Sequence, residues 1–188
     1  MTLTRICGLA LLTFVSLSTF ALAADDETTL KLGDEGKLTL QAPKEWTKKK
    51  PTTNIVQYEF AIPKAEGDEI DGRVTVMGAG GSVEANIERW VGQFQTEGGK
   101  PLGKEQTKVE KTKIDGLEVH LVDLSGTYKD QTRPFGGQTT IRENYRMLGA
   151  IIIGGEQGNY FVKAYGPKKT MDAHAKEFTT MLESLKAK

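Results

Sequence analysis

Side chains suited to catalysis are sparse in this 188-residue chain: two histidines, His120 and His174, one cysteine, Cys7, and, beyond residue 23, three serines, Ser82, Ser125 and Ser184. A serine hydrolase needs its nucleophile and its base on one side of the element that carries them. His120, Asp123 and Ser125 are neighbours in sequence, but along a strand residue 120 points away from 123 and 125, so no relay forms among them. Ser82 stands where a helix would be capped, and Ser184 lies inside a helical stretch. Metal ligation fares no better. Glu118 with His120 on a strand face, and His174 with Glu177 on a helix, supply two ligands each, too few for a tight site. Both histidines read as structural, and no metal site is expected.

Gly98-Gly-Lys-Pro-Leu-Gly103-Lys104 has the spacing of a phosphate-binding loop up to its last position, where Glu105 replaces the hydroxyl that would hold magnesium. Pro101 removes a backbone N–H from the cradle, and the segment leaves a helix rather than entering one, so it reads as an ordinary connection. The acidic run Glu66 to Asp71 offers oxygen ligands but matches no calcium-loop spacing. Lys48-Lys49-Lys50 reads as a solvated turn. Gly78 to Gly81, before Ser82, could offer N–H groups to an anion, yet this is also how any strand passes into a helix. No cofactor is expected.

The elements that would position these residues follow from periodicity. Thr28 to Leu32 and Lys37 to Gln41 flank Gly33-Asp34-Glu35-Gly36 as a short hairpin would, although residues 24–36 as a whole are polar and read as a loosely ordered segment. Val56, Tyr58, Phe60 and Ile62 alternate with Gln57, Glu59 and Ala61, the period of a half-buried strand. A further strand covers residues 73–77. A helix starts at Ser82 and buries the stripe Val83, Ile87, Trp90, Val91 and Phe94.

Strands over 107–114 and 117–124 meet at Asp115-Gly116, a dipeptide that favours a two-residue type I′ turn and so sets Ile114 opposite Leu117 and Lys111 opposite His120. After a loop from Ser125 to Thr139, a strand over 144–153 is apolar on both faces in its second half, which marks it as central. A strand over 159–165 follows, then a helix capped by Thr170 that buries Met171, Ala175, Phe178, Met181, Leu182 and Leu185. Tight turns and two amphipathic helices predict an α+β fold, a largely antiparallel sheet with helices packed on both faces, that is, an α/β/α sandwich.

The first residues are a targeting signal in pattern: Arg5, an apolar run from Ile6 to Leu17, then Ala21-Leu22-Ala23 ahead of Asp25-Asp26-Glu27. Cleavage after Ala23 removes residues 1–23 and leaves a single domain over 37–188 with no membrane span. Thr13, Ser16, Ser18 and Thr19 interrupt the run too often for a spanning helix. Cys7 stands at the start of the run rather than just after it and leaves with it, so neither a lipid anchor nor a disulfide is available. The 25 basic and 25 acidic residues balance, and removal of Arg5 leaves a net charge of −1, which implies neither nucleic acid nor an anionic membrane as partner. The working form is secreted or periplasmic.

Ala42-Pro-Lys-Glu-Trp46, after its short hairpin, resembles the Pro-x-x-Trp opening of PsbP/Mog1-like domains. The ending is similar too: Gly158-Asn-Tyr-Phe161, then Gly166-Pro167, then a helix with Phe178, Met181-Leu182 and Ser184. The likeness spans about residues 38 to 186 and rests on packing and turn motifs. It implies an antiparallel sheet between helical layers. Members of that superfamily include accessory subunits of photosystem II, a partner of a nuclear GTPase and exported bacterial proteins of unknown role. No residue set here matches a functional motif of the characterised members, so none is carried over.

One segment remains. The loop from Ser125 to Thr139 is long for a compact domain, and its Tyr128, Arg133 and Phe135 are of the types that anchor interfaces. These three are the candidate partner- or ligand-binding residues. The chain therefore reads as an exported, non-catalytic binding or accessory protein that contacts an extracytoplasmic protein or small ligand. The alternatives are an extracytoplasmic hydrolase with carboxylates assembled from distant segments and a structural envelope protein.

Overall fold

The structure, a computed structural model, describes residues 28–33, 36–131, 138–154 and 158–188. The expected signal peptide, residues 1–23, lies outside the described residues, as do Arg133 and Phe135. Two sheets form the body, and every strand pairing is antiparallel. The larger has eight strands: β3 (Thr47–Lys49), β4 (Tyr58–Ile62), β5 (Gly72–Ala79), β6 (Phe94–Gln95), β7 (Thr107–Ile114), β8 (Leu117–Gln131), β9 (Thr139–Ile153) and β10 (Asn159–Pro167). Their spatial order is β3-β4-β5-β10-β9-β8, with β7 along the inner half of β8 and β6 along its outer half. The smaller sheet has the order β1 (Thr29–Leu32), β2 (Leu38–Gln41), β11 (Lys186–Ala187).

Alternation along the long strands sorts their side chains into two cores. One face carries Phe60, Ile62, Val74, Val76, Val119, Leu148, Ala150, Ile152, Tyr160, Val162 and Ala164. It packs on Leu30, Leu32, Leu38 and Leu40 of the smaller sheet and on helices α2 (Lys168–Ala173) and α3 (Ala175–Glu183), which supply Met171, Phe178, Met181 and Leu182. The opposite face carries Val122, Leu124, Tyr128, Tyr145, Met147, Ile151 and Phe161 under the helix α1 (Val83–Gly92), whose Trp90 is the central plug. A hydroxyl joins the two sheets: Tyr58 accepts from the Lys31 N–H at 3.1 Å and donates to the Lys31 carbonyl at 3.0 Å.

The expectation of an α/β/α sandwich is overturned. Strand accounts for 50% of the described residues and helix for only 17% of them, in three short pieces, so helices do not layer both faces of the sheet. Two local causes stand out. Residues 125–131, read as loop, continue β8, which with β9 forms a fifteen-residue ribbon. The last helix is broken at His174 (φ −105°, ψ 13°), and its two short pieces share the cover of that face with a second sheet.

Thr170 does not cap a helix. Its N–H and Oγ1 both donate to Asp68 Oδ2, at 2.9 and 2.6 Å, and its Oγ1 accepts from the Ala65 N–H. The acidic loop is thereby pinned to α2. The segment read as loosely ordered contains β1, with Leu30 and Leu32 fully buried.

Where the sequence carries a geometric constraint, the structure follows it. Asp115 (φ 49°) and Gly116 (φ 80°) form the positive-φ turn, and the pairs Ile114–Leu117 and Lys111–His120 face each other. Ser82 accepts from the Ala85 N–H at 3.1 Å and so caps α1. Ser82→Ala is expected to lower the unfolding free energy by about 1 kcal/mol, whereas Ser82→Asp retains the cap; urea midpoints of the two variants measure the difference.

Candidate functional site

The larger sheet is left partly uncovered between the β7–β8 hairpin and the α2–α3 helices. There a cleft of about 270 Å³ opens, its floor and walls formed by Leu121, Leu148, Phe178 and Thr179, with Lys108 and Glu110 on the hairpin side. It runs into a second hollow of about 260 Å³ lined by Glu105, Ser125, Lys168 and Asp172; the two share Lys108, Asp123 and Arg146. Arg146 on β9 pairs with Ser125 on β8, which puts it diagonally beside Asp123 on the same face. Its guanidinium makes a bidentate pair with Asp123 (3.0 and 2.8 Å) and donates a third bond to Asp172 Oδ1 on α2 at 2.8 Å. Lys168, one turn before Asp172, reaches its other oxygen at 2.6 Å.

The electrostatics follow from these contacts. Burial works against the Asp172 carboxylate, but Lys168 and Arg146 outweigh it and hold the group below its ordinary pKa. Arg146 is held more firmly protonated, first by Asp123. Two carboxylates from segments 49 positions apart in sequence do meet here, on either side of one cation. Each is an anion in an ion pair, the opposite of what a general acid needs.

A second polar cluster lies on the α1 side of the sheet. Alternation along β10 places Phe161, Lys163 and Tyr165 on this face. Lys163 donates to Gln93 Oε1 at 2.5 Å and stands 4.8 Å from the Tyr165 ring centroid and 5.2 Å from that of Tyr128. Arg73 on β5 forks onto Glu59 (2.9 and 2.9 Å) and donates to the Tyr165 hydroxyl at 2.9 Å and to Thr52 at 3.0 Å. Burial pushes the Lys163 ammonium down, with Arg73 and Arg89 adding to the effect, to about 7. Burial likewise raises the phenols of Tyr128, Tyr145 and Tyr165.

Tyr128, expected in an exposed loop, is only 5% exposed: it packs in this core at 5.0 Å from Phe94, stacks on Tyr145 at 5.9 Å and lies 5.2 Å from Tyr165. It cannot be a surface anchor in this conformation. His120 and Asp123 point to opposite faces, as strand geometry requires; His120 is 14% exposed by its side chain and bonds Glu118 at 2.8 Å, so it is more enclosed than a solvated face would leave it. His174 faces the Pro63 carbonyl at 3.1 Å. Ser184 donates to the Met181 carbonyl and accepts from the Gln41 N–H. Among the described residues no group of three or more His, Cys, Asp or Glu side chains could hold a metal ion, and no helix is long and apolar enough to cross a membrane.

Neither cluster was named from sequence. Arg146 meets Asp123 only through the β8–β9 register, which no turn signal fixes. Lys163 did carry a signal, a cation on the inward side of an apolar strand.

No family model matches the chain, and no curated protein matches it. Among solved structures it is similar to cyanobacterial PsbP (CyanoP) from Synechocystis sp. PCC 6803, at 12% identity over 88% of this chain and 96% of that one, with a TM-score of 0.49. A Mog1-type likeness is not shown.

Proposed function

We propose that this protein is an exported, non-catalytic binding or accessory module that works by surface contact with an extracytoplasmic protein. One observation carries the reading: Asp123 and Asp172, the carboxylates from distant segments that meet at the cleft, are both committed to Arg146. A hydrolase built on that pair would need one of them protonated near neutral pH and the other free, and the ion pairs oppose both.

The contact surface we assign is the outer end of the β8–β9 ribbon. Beyond Tyr145, which pairs with Pro167, β9 runs on past the end of β10. It carries Ile141, 51% exposed, and Arg142, whose Nε lies 3.5 Å from Asp130. Arg133 and Phe135, in the connection between β8 and β9 and outside the described residues, are assigned to the contact from their residue types. Ile141 shares its face with its cross-strand neighbour Lys129, while the Arg142–Asp130 pair lies on the other face of the ribbon; an exposed apolar side chain next to a charged one suits a partner with a small apolar pocket and a polar rim.

The test is capture from an extracytoplasmic extract of the source cells by immobilised protein. Wild type and Val109→Asp, which alters an exposed apolar residue elsewhere, are expected to retain the same partner. Ile141→Asp and the double variant Arg133→Ala/Phe135→Ala are expected to lose it. Equal capture by all four would remove the ribbon from consideration.

A further inference from the structure

The polar cluster on the α1 side plays no part in the contact surface proposed above, and its charge balance is unusual. Lys163 and Arg73 sit on one face in diagonal positions of adjacent strands, since Lys163 pairs with Thr75 and Tyr165 with Arg73. Arg89 adds a third cation from α1, where it bonds the buried Asn86 at 2.5 Å. Of the acidic groups that face the cluster, Glu59 on β4 is taken up by both arms of Arg73, and Asp130 on β8 faces Arg142. Tyr128 and Tyr165 supply the ring walls. Among the described residues Lys163 makes no ion pair, and its polar partner is a neutral amide, Gln93.

Two consequences follow from elementary electrostatics. Burial and two neighbouring guanidiniums disfavour the ammonium, so a large share of Lys163 is a neutral, nucleophilic amine near pH 7. The same guanidiniums would stabilise an anion formed at that place. A small electrophile that turns a lysine from cation to anion fits both conditions.

We propose that Lys163 is a carbamylation site, whose Nζ adds to dissolved carbon dioxide to give an Nζ-carboxylate held among Arg73, Arg89 and Gln93. The Nζ lone pair forms the N–C bond while one C=O pair moves onto oxygen. Nitrogen then releases one proton to solvent, and nothing is oxidised or reduced. The N–H that remains can keep the bond to Gln93 Oε1.

The experiment equilibrates the folded protein with ¹³C-bicarbonate at pH 7.5, follows the carbamate carbonyl by ¹³C NMR, then alkylates with triethyloxonium and maps the product by peptide mass spectrometry. At that pH an ordinary lysine, with a pKa of about 10.4, is neutral to only about one part in a thousand. The expected result is modification of the Lys163 peptide about a hundredfold above peptides bearing surface lysines, fading as the pH is lowered below 7. The NMR signal should vanish in Lys163→Arg and persist in Lys176→Arg. Label spread evenly over lysine peptides would overturn the proposal, as would a bicarbonate signal with no trapped adduct, which would indicate a bound anion. The mapping uses wild type, so it holds even if Lys163→Arg folds poorly.

Discussion

Trp90→Ala is expected to lower the unfolding free energy by about 3–5 kcal/mol, a large part of what a single domain has to lose. Trp90 is 4% exposed and meets Phe161 edge to face, with ring centroids 6.0 Å apart at 86°. It is also the main anchor of a helix only ten residues long, too short to hold its shape without tertiary packing. The indole lies directly on Gly149 of β9, where an added Cβ would fall 2.6 Å from Cζ3 and 3.0 Å from Cε3. The two positions are therefore coupled. Gly149→Ala should destabilise wild type yet be close to neutral in the Trp90→Ala background, where the methyl enters the vacated space. Urea unfolding of the four proteins in the cycle measures this, and additive effects would mean that the indole does not rest on the strand.

The second large effect is expected at Arg73. Arg73→Met strips Glu59, which is 7% exposed, of its counter-ion and removes bonds to Tyr165 and Thr52. Orphaning a fully buried charge costs about 3–5 kcal/mol; because the Arg73 side chain is 37% exposed, about 2 kcal/mol at neutral pH is the appropriate scale.

The pH dependence identifies the cause. In wild type, burial pushes Glu59 up but Arg73 and Thr52 bring it below its ordinary value. Its contribution is thus fully present above the unfolded carboxylate pKa and is lost as pH falls through the lower folded one. In Arg73→Met burial is opposed only by the Thr52 contacts, the folded pKa rises, and stability falls as pH increases through it. The gap between the proteins should shrink as pH is lowered from 7 to about 4. A gap that stays constant over that range would assign the loss to the neutral bonds alone.

The parts of the fold legible in the sequence are those governed by local geometry. Asp115-Gly116 dictates its turn and with it every pair between β7 and β8, and Ser82 marks the start of α1 because a free N–H needs a partner. The stretch from Ser125 to Gln131 was not legible, since Ser125, Gly126, Thr127, Lys129 and Asp130 look like a loop while Leu124 and Tyr128 reach the core. Its strand character comes from the β8–β9 ladder, which shifts register between Gly126 and Tyr128. The β1–β2 hairpin of the smaller sheet was legible from its turn, but its third strand was not: β11 has two residues and pairs with β2 alone. The Arg146 cleft depends on strand register and on where α2 lands. The Lys163 cluster was within reach, because the alternation that buries Phe161 carries a lysine and a tyrosine inward with it.

The Tyr58 hydroxyl also bears on how the molecule behaves in company. By occupying both backbone groups of Lys31, it leaves the rim of the smaller sheet with no open rail at that residue on which a stranger's strand could zip. The rim of the larger sheet at Lys48 and Lys49 is exposed and guarded by like charge, so crowding in solution should not draw these molecules into ribbons along either of these two rims.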